Sequence, residues 1–217
     1  MAARTGRRAP LTRERILRAA LELADAGGLE ALSMRRLGDA LGYEAMSLYN
    51  HVANKDDVLD GILDLVLAEM EPPDPAGGMA SIRSSSVSAH EALTRHPWAA
   101  SLLMSPLRIR PARLQFMNSL LGALREAGFS AETTYTAYHV LDAHIIGFSL
   151  WASTHGSIPA NIQDDVRGFL DRMLPVDMYP HLHEHGVQHL EDGPHRKVRT
   201  FEYALDLLLD GLERSRD

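Results

Sequence analysis

Residues 11–67 read LTRERILRAALELADAGGLEALSMRRLGDALGYEAMSLYNHVANKDDVLDGILDLVL, and their punctuation leaves few folds open. Thr12 can cap a first helix in which Ile16, Leu17, Ala20, Leu23 and Ala24 recur at the spacing of one buried face. Gly27-Gly28 stops it, because glycine enters the left-handed region without a Cβ penalty. Ser33 caps a second helix, with Leu37, Ala40 and Leu41 as its apolar stripe, and Gly42 closes it after barely two turns. A third helix is expected over residues 44–51, with Leu48 and Val52 inward. Asn54 caps a longer fourth, and Asp56 and Asp57 sit in its first turn, where the helix dipole favours negative charge. Three short helices with a glycine turn before the third, then a lever, make a helix-turn-helix pattern.

The third helix is polar for its size. Met46, Ser47, Tyr49, Asn50 and His51 lie off the inward side. Hydroxyl, imidazole and amide groups hydrogen-bond base edges and phosphate oxygens, and a methyl-bearing side chain packs on thymine. Any one of these residues also suits a solvated surface. The set as a whole favours a DNA-reading helix.

With its glycine turn, Leu-Tyr pair and following histidine, the stretch SLYNHVANKDDVLDG resembles the most recognisable segment of the TetR family of bacterial repressors. The resemblance covers residues 11–67. It implies a homodimer that binds a palindromic operator in double-stranded DNA and releases it when a small molecule occupies the C-terminal domain. It also implies DNA contact by Arg35, Ser47, Tyr49, His51 and Lys55. Ala45 and Met46 occupy contact positions too but offer no hydrogen bond, so reading at that end should rest on apolar contact or shape.

Charge is distributed to match. The chain carries a formal charge of −7, which alone argues against nucleic acid. Residues 1–55 nevertheless hold nine Lys+Arg against six Asp+Glu, whereas residues 56–217 hold thirteen against twenty-three. Arg4, Arg7 and Arg8 belong to a basic, disordered arm expected over residues 1–10, suited to phosphates or a minor groove, or simply to solvent. The acidic remainder should repel DNA. There is no cysteine, which removes disulfides, thiolate chemistry and Cys-based zinc sites. No stretch approaches the about 20 apolar residues a bilayer requires, and the basic N-terminus has no apolar signal core, so no membrane association and a cytoplasmic location are expected.

The expected fold is all-α: a helix-turn-helix DNA-binding domain with connecting helix over residues 11–70, then a larger helical effector-binding and dimerisation domain over 71–217. The EPPDPAGG segment, residues 71–78, must end the fourth helix. Further helices are expected over 79–95, 98–104, 111–127, 130–153, 161–173 and 195–214, with a loop at 154–160. From Tyr135 to Trp151 apolar residues occupy nearly every helical direction, so that helix must be buried on several sides. The last helix has Phe201, Ala204, Leu205, Leu208 and Leu212 on one face. The resemblance implies a four-helix dimer interface made by two C-terminal helices of each subunit. These two are the candidates, with Phe201, Leu205, Leu208 and Leu212 facing the second copy; a buried monomeric core is the alternative.

Polar and aromatic residues in otherwise apolar segments suggest a pocket for a small, largely apolar or aromatic effector: His90, Phe116, Asn118, Tyr138, His139, Phe148 and Trp151. Each histidine among them also suits a satisfied core position. Residues 180–195, PHLHEHGVQHLEDGPH, hold five of the eleven histidines. His181, His185 and His189 fall at i, i+4 and i+8, and HLHEH matches an inverted zinc-protease pattern. Pro180 and Gly186 bracket it too closely for a long rigid helix, so a solvated loop is expected, without catalytic residues, metal or cofactor. The alternatives are a metal-dependent enzyme or metal sensor using this segment, and a DNA-binding protein without an effector. An enzyme leaves residues 11–67 unexplained.

Overall fold

A computed structural model describes residues 10–105, 108, 110–154, 162–191 and 194–216. The basic arm and the loop expected at 154–160 lie outside these, apart from Pro10 and Thr154. Among the described residues the fold is all-α, with eleven α-helices, one short 3-10 turn at Pro75–Gly77 and no strand. They are α1 (Arg13–Ala31), α2 (Met34–Leu41), α3 (Ala45–Leu48), α4 (Lys55–Leu67), α5 (Gly78–Arg95), α6 (Pro97–Leu103), α7 (Pro111–Glu126), α8 (Ala131–Thr154), α9 (Gln163–Met173), α10 (Pro180–Glu191) and α11 (Pro194–Arg214). Contacts divide the chain into two compact units, one running to Leu150 and the other Trp151–Ser215.

The expected caps form in the first unit. The side chains of Thr12, Ser33 and Asn54 accept from the amides of Arg15, Arg36 and Asp57 respectively. As expected, the first helix breaks at Gly27-Gly28, where both residues leave helical geometry, so α1 is two helical pieces joined by a kink. Gly28 takes φ 70°, and one more turn follows before Leu32. Gly42 closes α2 in the left-handed conformation, φ 73°.

The second helix departs from its expected stripe. Leu37 is buried, but Ala40 is exposed, and the other buried residue is Gly38. A Cβ on Gly38 would stand 2.7 Å from the Tyr43 carbonyl oxygen and 3.1 Å from the Ala45 nitrogen. The backbone of the turn thus passes directly over Gly38, which is how α3 comes so close to α2. The Tyr43 amide donates back to the Gly38 carbonyl at 2.9 Å.

α4 packs against α1 on one side and α5, α6 and α7 on another. Val58, Ile62, Leu63 and Val66 are fully buried there. Its N-terminus is tied to α1 by Arg13, whose two terminal nitrogens donate to the two Asp57 oxygens at 2.7 Å. The Asp57 carboxylate also accepts from the Ala53 amide at 2.9 Å. First the Arg13 guanidinium and then this amide pull the Asp57 carboxyl from the ordinary 3.8 down to about 2. A depressed carboxyl contributes stability above its unfolded pKa and loses it as pH falls through the folded value. Asp57→Asn should therefore lower stability at neutral pH and flatten the loss between about pH 4 and pH 2. Because Arg13 and Asp57 are partly exposed, the effect should stay near 1 kcal/mol. Urea denaturation across that pH range measures it; parallel curves for parent and variant would refute the linkage.

In the second unit α9 and α10 pack together. The segment expected to be a loop is helical, α10 spanning Pro180–Glu191. Pro180 takes the first helical position, where its missing N–H costs nothing. Gly186 is tolerated inside because a Cβ there would press on Leu170 of α9, 3.3 Å from its two methyl carbons.

Candidate nucleic-acid interface and its connections

Backbone geometry sets out the reading surface. Regular helix in α3 is shorter than the expected residues 44–51, only Ala45–Leu48, but the turn continues. The amides of His51 and Val52 both donate to the Leu48 carbonyl, at 2.9 and 3.1 Å. Leu48 and Val52 are buried and anchor the element. Met46, Tyr49, Asn50 and His51 are exposed, and Ala45 and Ser47 are half-buried. Met46 is 73% exposed, so its thioether is available for apolar contact. Arg35 on α2 and Lys55 at the start of α4 are exposed as well. All seven residues expected to meet DNA are accessible, on two anchored helices and the first turn of a third.

Polar links run from this module into the rest of its unit. Asp56, Asp60 and Asp64 repeat every four residues along α4. Arg108 reaches Asp56 and Asp60, both at 2.5 Å, and Arg110 reaches Asp60 at 3.3 Å and Asp64 at 2.6 Å. The two arginines, from the segment between α6 and α7, thus form a ladder down the lever helix. A second link centres on His96, buried at the α5–α6 junction. Its Nδ1 is 2.8 Å from Asp25 of α1, and its Nε2 is 3.1 Å from Glu69 just past α4. The Trp98 indole donates to the same Asp25 oxygen at 2.7 Å. Burial pushes the Glu69 carboxyl up, but Arg95 and His96 outweigh it and hold the group below the ordinary range. Of these partners only Asp56 was singled out in the sequence, and there for the helix dipole rather than for an ion pair. The aspartate spacing on α4 was visible there, but its arginine partners are about fifty residues away.

The residues expected around an effector separate. His90, Phe116 and Tyr138 are buried and Phe148 is half-buried. The His90 Nδ1 lies 3.0 Å from the Ser149 hydroxyl, and its ring meets Phe148 edge-on at 5.5 Å. Arg113 pairs with Asp142 nearby, and burial followed by the Asp142 charge pushes the Tyr138 phenol up. The Thr134 hydroxyl on α8 is buried without a protein partner. Asn118 and His139, by contrast, are exposed. Trp151 is 38% exposed.

The last helix divides by exposure. Phe201 and Leu205 are fully buried within the chain, joined by Leu209. Leu208 and Leu212 are half-buried, while Tyr203 and Leu207 are exposed. An i, i+4 apolar stripe marks a buried face but does not say whether its own chain or another covers it. On α8 one line of exposed residues recurs every four positions: Tyr135, His139, Ala143, Gly147 and Trp151. A Cβ on Gly147 would meet nothing within 4 Å. The spacing was legible in the sequence, but every direction of that helix looked apolar, and the free one did not stand out.

An all-α chain that opens with an anchored polar reading helix and a lever packed on further helices is a helix-turn-helix DNA-binding regulator. The family model described as "Bacterial regulatory proteins, tetR family" matches residues 16–62, and "Tetracyclin repressor-like, C-terminal domain" matches residues 73–216. The chain belongs to the TetR family of transcriptional regulators. It is 34% identical to the HTH-type transcriptional repressor DrrR1 of Streptomyces coeruleorubidus, over 96% of this chain and 79% of that one. It is 29% identical to the class D tetracycline repressor protein of Escherichia coli, over 93% of this chain and 94% of the relative. The Streptomyces coelicolor TetR family protein ActR, solved in complex with actinorhodin, superposes with a TM-score of 0.71 at 28% identity, covering 96% of this chain and 99% of that one. No helix among the described residues is long and apolar enough to cross a membrane.

Proposed function

We propose that the chain is a ligand-released repressor that binds a palindromic operator as a homodimer. The observation that carries this is the short third helix, held by two buried residues while its remaining side chains face outward on a family-typical module. In this reading Arg35, Ser47, Tyr49, His51 and Lys55 meet phosphates and base edges, and Ala45 and Met46 supply apolar contact. Tyr49→Ala and Lys55→Ala should each weaken operator binding without loss of fold, since both side chains lie outside the core. If Lys55 neutralises a phosphate, its loss lowers the salt-dependence slope by about one. Fluorescence anisotropy at several salt concentrations tests this, and an unaltered slope with unaltered affinity would remove Lys55 from the interface.

Two half-sites about 34–36 Å apart require two reading helices, hence a second copy. The outward stripe of α8 supports an interface there. Glycine inside a helix costs about 1 kcal/mol relative to alanine, a cost offset when another backbone must approach closely. On α11 the corresponding role passes to Tyr203, Leu207, Leu208 and Leu212.

The effector proposed is a small, largely apolar or aromatic molecule, with His90, Phe116, Asn118, Tyr138, His139, Phe148 and Trp151 as the residues proposed near it. The lever supports the release step, since α4 carries Lys55 at one end and is laced to Arg108 and Arg110 along its length. A ligand that favours the arrangement with misplaced reading helices weakens operator affinity by the factor that operator weakens the ligand, for a coupling of about 1–3 kcal/mol. Operator titration with and without a ligand found by thermal-shift screening tests it. Tight ligands that repeatedly leave operator affinity unchanged would favour a DNA-binding protein without an effector.

A further inference from the structure

α10 carries histidines that none of the roles above uses, and its geometry sorts them. His183 turns toward the α9 end of the unit: its Nδ1 is 2.8 Å from the Leu174 carbonyl oxygen and its Nε2 is 3.7 Å from Asp171. His181, His185 and His189 are exposed. Of these, His185 and His189 bring their Nε2 atoms to 3.1 Å from each other, with ring centroids 4.5 Å apart.

We propose that His185 and His189 form a bidentate site for a borderline divalent cation, Zn²⁺, Ni²⁺ or Cu²⁺, on the exposed side of α10. Two imidazoles four residues apart on a helix lie on one face, and here the same nitrogen of each ring comes within 3.1 Å of the other, so that a turn of the exposed rings lets both face one ion. With metal–nitrogen bonds of about 2.0–2.1 Å, a 3.1 Å separation gives an angle at the metal of roughly 95–102°, between square-planar and tetrahedral values. An ion replaces the single hydrogen bond the two rings can share. Water completes its shell, since the described residues contain no group of three or more ligating side chains. Two nitrogen donors select against Mg²⁺ and Ca²⁺, which take oxygen ligands.

The site has a structural consequence for α10 itself. A helix of 12 residues is near the lower limit of independent stability, and Gly186 weakens its interior by about 1 kcal/mol relative to alanine. The chelate spans the turn that contains Gly186, so an ion bound there closes the weakest part of the helix. Binding that requires the helical form stabilises it by mass action.

The test uses the full chain, stripped of tag and metal, titrated with ZnCl₂, NiCl₂ and CuCl₂ by calorimetry near neutral pH. One ion per chain is expected, with Cu²⁺ bound most tightly. The spin-resonance spectrum of the Cu²⁺ form should show two nitrogen ligands. Loss of an outer-shell partner of a metal ligand already costs about 10–100-fold, so H185A and H189A should each lose at least about tenfold in affinity. H181A should bind as the parent does. Hydrogen exchange should slow in α10 on adding Zn²⁺ to the parent and stay unchanged in H189A. Binding that survives the double variant H185A/H189A, or that H181A abolishes, overturns the assignment. Since no readout involves operator DNA, this result stands or falls independently of the proposed repressor function.

Discussion

Replacing Ala143 by Glu should turn the proposed dimer into monomers and reduce operator affinity by about 10²–10⁴-fold, the gain that a second linked binding event supplies. Ala143 sits in the middle of the outward stripe of α8, between His139 and Gly147. Its side chain is exposed, so the protomer itself should change by no more than about 0.5 kcal/mol. In an apolar helix–helix interface, however, a carboxylate is desolvated without a partner, a penalty of several kcal/mol for each of two copies. Sedimentation at micromolar concentration and operator titration should fail together while circular dichroism remains helical. A variant that still sediments as a dimer would move the interface off α8.

Gly38→Ala should be the most damaging single-methyl addition in the reading module. The new carbon would stand 2.7 Å from a backbone oxygen and 3.1 Å from a backbone nitrogen, and neither atom can swing aside as a side-chain end can. Relief requires α2 and the turn to part. Overpacking of this kind costs about 1–3 kcal/mol, which for a chain of 217 residues lowers the melting temperature by roughly 2–12 °C. Since α3 hangs on that turn, operator affinity should fall further than stability alone accounts for. Gly122→Ala on α7 is the control: a Cβ there meets nothing within 4 Å, and the substitution should be neutral or stabilising by up to about 1 kcal/mol. Equal effects at the two positions would show that helix propensity, not the close approach of α2 and the turn, governs Gly38.

What residues 11–67 determine by themselves is local. A cap requires only a short polar side chain and the amides that follow it, which is why Thr12, Ser33 and Asn54 could be placed from sequence and form the bonds expected. The same holds for Gly42, whose left-handed conformation ends α2 within a few residues of chain. The buried side of α3 and the turn after it follows from spacing, because Leu48 and Val52 are the apolar pair buried there.

Tertiary structure decided everything that depends on which surface meets which. Apolar spacing marks Phe201 and Leu205 as a buried face, but only the packed chain shows that face already covered and leaves the stripe from Tyr135 to Gly147 open. His139 and Asn118 look alike in sequence to His90, and differ in the folded chain because solvent reaches them and not it. Pro180 and Gly186 argued against a helix that exists, since α9 lies where a side chain at Gly186 would be. The arginine ladder on α4 and the His96 link to Asp25 and Glu69 join residues tens of positions apart. Periodicity reports only that a side of a helix is buried; what covers it depends on the rest of the chain brought against it by folding.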